Sequence, residues 1–249
     1  MSFVHVSKDG EIATVTLSRG KVNALNEPMV EEITKSFADL ATDNEVRSII
    51  FTGSGKFFSF GFDVPEFLNY SKSDFIRFFE KFTNLYTYLF LFPKPIVAAL
   101  NGHAIAGGCM LATACDLRLM VTGKAKISLN EITFGAPVPA GSVEMLRYCV
   151  GTSNAQSILY SGAMYSAEEA FQLGLVDQVS TEDNLAEDAR NIAQELAQKD
   201  SFAFRSIKLL LRKPVAEEMI KREKNAILEF VDIWYSEQTR ENLKEIGIY

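Results

Sequence analysis

Cysteine is scarce in this chain and badly spaced for chemistry: Cys109, Cys115 and Cys149 form no CxxC pair and leave an odd thiol. That suits a reducing compartment better than a disulfide framework and argues against a metal site, with the cytoplasm as the default. Long apolar runs are missing too. No stretch approaches the roughly 20 residues that a membrane-spanning helix requires, and mean hydropathy is only +0.04. Positive charge is in deficit, at −7 net, which argues against a nucleic-acid partner because phosphate binding draws on clustered Lys and Arg. The opening MSFVHVSKDGEIATV lacks the basic-then-apolar order of a signal peptide and enters strand-like alternation at once. Low-complexity tracts and long linkers are absent as well.

What is present is an ordinary globular composition, 47% hydrophobic and 23% charged over 249 residues, enough for one large domain or a domain with a helical appendage. Apolar runs on either side of Lys8-Asp9-Gly10 predict an opening β-hairpin. Pro28 followed by Met29, Val30, Ile33, Phe37 and Leu40 predicts an amphipathic helix over 27–42. A buried strand at Ile49–Thr52, a Gly- and Phe-rich loop, a helix over 73–92 and a second buried strand at Ile96–Leu100 follow. The β-then-α rhythm runs on through a helix at Gly107–Ala114 and strands at Asp116–Val121 and Ala125–Leu129. Beyond residue 130 helices dominate, at 140–149, 153–160, 166–172 and 182–198, with one more strand at Leu175–Val179. In the tail from about residue 200, Pro214 is expected to separate Ser201–Arg212 from an apolar-striped helix over Ala216–Arg240. The expected division is a core over 1–199 and a helical region over 200–249.

Three features fall on loops after strands, where α/β folds place their chemistry. They are Phe57-Phe58-Ser59-Phe60-Gly61-Phe62-Asp63, then Asn101-Gly102-His103-Ala104-Ile105-Ala106-Gly107-Gly108-Cys109, then Leu129-Asn130-Glu131. Paired glycines at a helix start let backbone N–H groups face a ligand, and the helix dipole adds positive character there. Each loop taken alone is equally readable as a tight turn.

Taken together they resemble the signature of the crotonase superfamily, the enoyl-CoA hydratase/isomerase family. Further matching segments are Asn23-Ala24-Leu25-Asn26, Pro95 to Leu100, Ala114-Cys115-Asp116-Leu117-Arg118, Tyr165 to Ala170 and Gly174-Leu175-Val176-Asp177. The resemblance implies a crotonase-type α/β spiral of ββα repeats whose C-terminal helices serve oligomerisation, as a homotrimer or homohexamer. It implies an acyl-CoA thioester substrate, with CoA as part of that substrate and no separate cofactor. By position it assigns the two oxyanion-hole N–H groups to Phe62 and Gly107. Ala24, Phe60, Gly61, Asp63 and Val64 then run along CoA, with Gly108 and Asn130 also at the substrate.

Hydratases of this family use two glutamates. Here the first position holds Met110, a thioether that neither activates nor protonates water. Glu131 fills the second and, with Leu129-Asn130-Glu131 and Ala106 to Leu111, resembles the mitochondrial-type 3,2-trans-enoyl-CoA isomerases, in which one glutamate moves a proton from C2 to C4. Ile132, Phe134, Pro137 and Val138 give Glu131 an apolar setting that raises a carboxyl pKa. Glu144 pairs with Arg147 at i,i+3 and reads as a solvated ion pair. Asp63 and Asp116 read as turn-bonding groups, and His103 as a turn residue. The phenylalanines of 57–62 and 75–92 are readable as an acyl tunnel or as core. Hydration, thioester hydrolysis, decarboxylation and a catalytically degenerate acyl-CoA-binding scaffold remain open alternatives at this stage.

Overall fold

A computed structural model describes residues 2–246; the last three residues of the 200–249 region, and Met1, lie outside the described residues. The strands are β1 (Val4–Asp9), β2 (Ile12–Leu17), β3 (Ser48–Gly53), β4 (Phe57–Ser59), β5 (Ile96–Leu100), β6 (His103–Ile105), β7 (Leu117–Val121), β8 (Ile127–Ser128) and β9 (Gln178–Ser180). The helices are α1 (Glu27–Thr42), α2 (Val64–Phe67), α3 (Lys72–Phe90), α4 (Gly107–Ala114), α5 (Ala140–Ser161), α6 (Ala167–Gln172), α7 (Leu185–Ala197), α8 (Ser201–Trp234) and α9 (Glu237–Lys244).

β1 and β2 form the expected antiparallel hairpin. The rest of the main sheet is parallel, in the order β1-β2-β3-β5-β7-β9, and a small parallel sheet stacks β4-β6-β8 beside it. After the opening hairpin and α1, three successive turns of the chain, from β3, β5 and β7, each place one strand in the large sheet, one in the small sheet, then helix. That is the ββα spiral. The β5 strand is wholly buried, with Ile96, Val97, Ala98, Ala99 and Leu100 all in the core, as a strand covered on both faces must be. The predicted α1 has the expected limits, capped by the Asn26 side chain accepting from the Met29 N–H.

Several expectations are corrected. Part of the Gly- and Phe-rich loop is strand β4, three residues long and joined to β6 by two residue pairs, Phe57 with His103 and Ser59 with Ala104. The strand expected at Leu175–Val179 begins only at Gln178, since the N–H groups of Leu175 and Val176 both donate to the carbonyl of Ala170 in a turn. The helices expected at 140–149 and 153–160 abut as α5 across a break at Gly151, whose φ of 75° and ψ of 165° are not helical. Pro214 does not divide the tail, because α8 runs through it. The carbonyl left without its usual partner belongs to Leu210, on the exposed face, where water can serve it. On the inner face the helix is anchored just before the proline. Arg212 donates to the carbonyls of Phe90, Ala114 and Cys115, and Lys208 pairs with Asp116 at 2.8 Å.

Asp116 carries more than a turn. Its carboxylate also accepts from the Ile96 N–H at 2.8 Å and lies 3.4 Å from Arg212, and both cationic side chains are nearly inaccessible to solvent. Removing one partner of a buried ionic cluster leaves the others uncompensated. Asp116→Ala is therefore expected to cost about 3–5 kcal/mol of stability in denaturant unfolding, with Asp116→Asn, which keeps an acceptor for Ile96, losing less.

Candidate active site

A cavity of about 530 Å³ opens between the two glycine loops, the turn after β8 and the last helices. Its floor begins where the loop after β4 meets the loop after β6. Gly61 has φ of +94°, open to glycine but unfavourable for other residues; a Cβ there would also stand 2.8 Å from the Ile105 carbonyl and 3.0 Å from the Gly107 nitrogen. A Cβ on Gly108 would stand 2.3 Å from the Ser59 carbonyl oxygen. The two backbones thus touch, with no room for side chains between them. Ala106, the N-cap of α4, has φ of +50°, a strained setting for a non-glycine residue. Among the described residues, the N–H groups of Phe62 and Gly107 donate to no protein acceptor, whereas their neighbour Asp63 donates to Leu25 and Met110 to Ala106. Two free donors at adjoining loop ends, one of them at a helix N-terminus, make a site for a developing negative charge.

The Phe62 side chain turns away from its own N–H into an aromatic cluster, 4.9 Å from the centroids of both Phe78 and Phe82. It also packs on Gly107, where a Cβ would meet the ring at 3.2 Å. Of the phenylalanines readable as tunnel or core, those of α3 are core, while Phe60 and Phe62 border the cavity.

Glu131 opens a 3-10 turn over Glu131–Phe134 that Gly135 closes in the left-handed region. Its carboxyl is 5% exposed, with Oε2 lacking any protein partner. Burial pushes its pKa up from 4.5 to about 8. It shares the cavity with Met110, Asn130 and Pro137. The other carboxylate on the cavity wall, Glu245, is exposed.

Of the remaining residues read from sequence, Val64 borders the cavity and Ala24, Gly61, Asp63 and Gly108 stand behind its wall. Asp63 caps α2 and pairs with Arg19 at 2.7 Å, while the Ala24 carbonyl accepts from the same Arg19. His103 stacks on Phe57 at 4.8 Å, outside the cavity. Glu144 pairs with Arg147 and also with Arg222 of α8. Sequence reasoning missed the contribution of the tail. Phe230 and Trp234 of α8 form one wall, and Thr239 and Asn242 of α9 donate to the carbonyls of Gly135 and Phe134. The apolar stripe of α8 was a signal for the wall; nothing marked the two polar contacts.

Comparison with known proteins agrees with this architecture. The family description Enoyl-CoA hydratase/isomerase matches residues 7–245. The chain belongs to this family. Within it, the chain is 36% identical over 214 residues to a probable enoyl-CoA hydratase of Bacillus subtilis, covering 85% of this chain and 82% of the relative. It is 28% identical to the mitochondrial enoyl-CoA delta isomerase 1 of Mus musculus over 93% of this chain and 81% of the relative. Among solved structures, human mitochondrial delta3-delta2-enoyl-CoA isomerase superposes with a TM-score of 0.92 at 27% identity, covering 98% of this chain and 96% of that one. Membership makes this an enzyme of enoyl-CoA hydratase/isomerase chemistry on the crotonase fold.

The loop interlock yields a direct expectation. Gly108→Ala would drive a methyl group into the backbone of Ser59, so the variant should lose both thermal stability and affinity for CoA thioesters, read by melting and by calorimetric titration.

Proposed function

We propose that this family member is an isomerase that moves the double bond of a 3-enoyl-CoA to the 2-trans position, with Glu131 as its only proton carrier. The observation that carries this reading is the pairing of one buried carboxyl with Met110 in the same cavity. Hydration needs a group to activate water and another to protonate carbon, and a thioether does neither.

In this reading the thioester oxygen sits against the N–H groups of Phe62 and Gly107. Glu131, ionised, takes a proton from C2, and the electrons move into the C2–C1 bond to give a dienolate whose charge the two donors hold. Each such donor lowers the barrier by roughly 3–4 kcal/mol. The carboxylic acid then returns the proton at C4, and the double bond settles between C2 and C3. Water is neither consumed nor required, and the aromatic wall of Phe62, Phe230 and Trp234 keeps it out. A raised pKa strengthens the base. It serves the second step equally, since the acid need not release its proton to solvent.

CoA esters are the substrate class, with Phe60 and Val64 at the cavity edge on the pantetheine side, and no separate cofactor is involved. Apolar side chains exposed along α8, among them Phe202, Leu210 and Leu211, support self-association as a homotrimer or homohexamer.

Purified protein should convert 3-hexenoyl-CoA to 2-trans-hexenoyl-CoA, followed by chromatography of the esters; 3-hydroxyacyl-CoA as the sole product would overturn the reading in favour of hydration. Glu131→Gln should lower turnover about 10²–10⁴-fold while CoA-ester binding persists.

The pH dependence follows from the raised pKa. The active form is the carboxylate, so kcat/KM should fall as pH drops through about 8. For stability the sign is opposite to that of a salt-bridged acid. Between 4.5 and about 8 the folded state holds the proton more tightly than the unfolded chain, so this group's contribution worsens as pH rises across that window. Glu131→Gln, neutral throughout, should consequently melt higher than the parent at pH 8 and differ little at pH 4.

A further inference from the structure

Glu223 lies in the middle of α8, far along the chain from the glycine loops, and is more than nine-tenths buried. One carboxylate oxygen, Oε2, accepts from the Gly141 N–H at 2.6 Å and from the Tyr86 hydroxyl at 2.8 Å. The other, Oε1, is buried without a partner. No cation compensates it among the described residues: the preceding Arg222 turns to Glu144, and the pairings of Lys221 run to Glu218. A buried carboxyl with one oxygen unmet is costly, and an apolar side chain of similar size would remove that cost. The hydrogen bonds from Gly141 and Tyr86 are what offset that cost.

What it holds is the first turn of α5. Pro139 is the N-cap of that helix and offers no side-chain acceptor, so the free N–H of Gly141 takes its partner from α8 instead. A Cβ at position 141 would stand 2.6 Å from the Tyr86 hydroxyl and 2.9 Å from Glu223 Oε2, so a side chain there would have to push these two groups aside. Immediately before this turn runs the segment 131–139, which carries Glu131, Phe134, Pro137 and Pro139 along the cavity. Its start is fixed by β8 and its middle by the α9 contacts to Phe134 and Gly135. Its far end is fixed by Glu223.

We infer that Glu223 is a positioning residue: its carboxylate caps α5 from the tail helix and thereby sets where the 131–139 segment holds the Glu131 carboxyl. The inference rests on the reading of Glu131 as the base. Displacing a base by about 1 Å can cost on the order of 10²-fold in rate. Glu223→Leu should therefore lower kcat for 3-hexenoyl-CoA roughly 10–100-fold with KM changed less than about threefold. Glu223→Gln retains an acceptor oxygen for Gly141 and should restore kcat to within about fivefold of the parent. Tyr86→Phe, which removes only the second donor, should have the smallest effect.

Amide hydrogen exchange supplies a readout independent of any assay. In Glu223→Leu, exchange should quicken across 131–141 and stay unchanged in β5 and β7. Parental kcat in a folded Glu223→Leu, a Gln variant as slow as the Leu variant, or unchanged exchange across 131–141 each overturns the inference. If no variant nor the parent isomerises any 3-enoyl-CoA, the reading of Glu131 fails while the exchange comparison still decides whether Glu223 fixes the segment. Should Glu223→Leu not fold, Glu223→Met, unbranched and without an acceptor oxygen, takes its place in the exchange comparison: Gly141 protection in Glu223→Met equal to that in Glu223→Gln means the cap is not held by this carboxylate.

Discussion

Gly61, Gly107 and Gly108 let two loops meet backbone to backbone, and the geometry of the cavity descends from that contact. A methyl group at Gly61 or Gly108 would stand under 3 Å from a carbonyl oxygen across the junction, a distance that only displacement of a loop can relieve. With the loops locked, the N–H groups of Phe62 and Gly107, which find no protein acceptor among the described residues, lie at adjoining loop ends. Unpaired donors are unfavourable in a closed interior, and the positive φ of Ala106 adds strain at the same place. Both costs are borne by the surrounding core, in which β3, β5 and β7 lie between layers of helix. A rigid frame is what allows donors to be aimed at a charge that exists only transiently.

Burial of Glu131 depends on the opposite end of the chain. The turn that carries it is short and begins on a two-residue strand, so it has little intrinsic rigidity. α8 and α9 supply what it lacks, by walling the cavity with Phe230 and Trp234 and by taking the carbonyls of Phe134 and Gly135 as acceptors. The same helices shut out water, and desolvation is the largest cause of the raised carboxyl pKa. The attachment of the tail runs through Lys208 and Arg212 to Asp116, at the end of α4, so the helix that begins at Gly107 is also tied at its far end to the helix that closes the cavity.

Legibility in sequence tracked the locality of the cause. The hairpin at Asp9-Gly10 and helix α1 were readable because a turn signal, a proline in the first helical turn and apolar residues at helical spacing act over a few positions. Glu131 and the Gly107-Gly108 pair were readable through family resemblance to an ordered set of segments; periodicity alone left each loop as an ordinary turn. Pro214 misled because the local rule, that proline interrupts a helix, was overridden by Lys208 and Arg212 clasping residues about 100 positions away. Strand β4 was missed for a related reason: its partner β6 lies 46 residues further on, counting from Phe57 to His103, and three residues carry too little pattern to announce a strand. The pairing of Glu223 with Gly141 spans 82 positions and had no local signal at all.

Met110 gives the site its chemical direction. A carboxylate in its place would put two acids in one apolar chamber, where like charges shift each other's titration and a water molecule has polar partners to hold it. The thioether offers neither charge nor a strong hydrogen bond, so among the described residues Glu131 is the one buried cavity-lining group able to carry a proton, the Glu245 carboxylate being exposed. A single carrier can return a proton only to atoms within its own reach. C2 and C4 of an enoyl chain meet that condition because they flank the same carbon, and in the proposed reaction the Phe62, Phe230 and Trp234 wall would confine the chain beside Glu131 while the charge rested on the backbone donors. That is the physical ground on which the proposed isomerisation, rather than addition of water, rests.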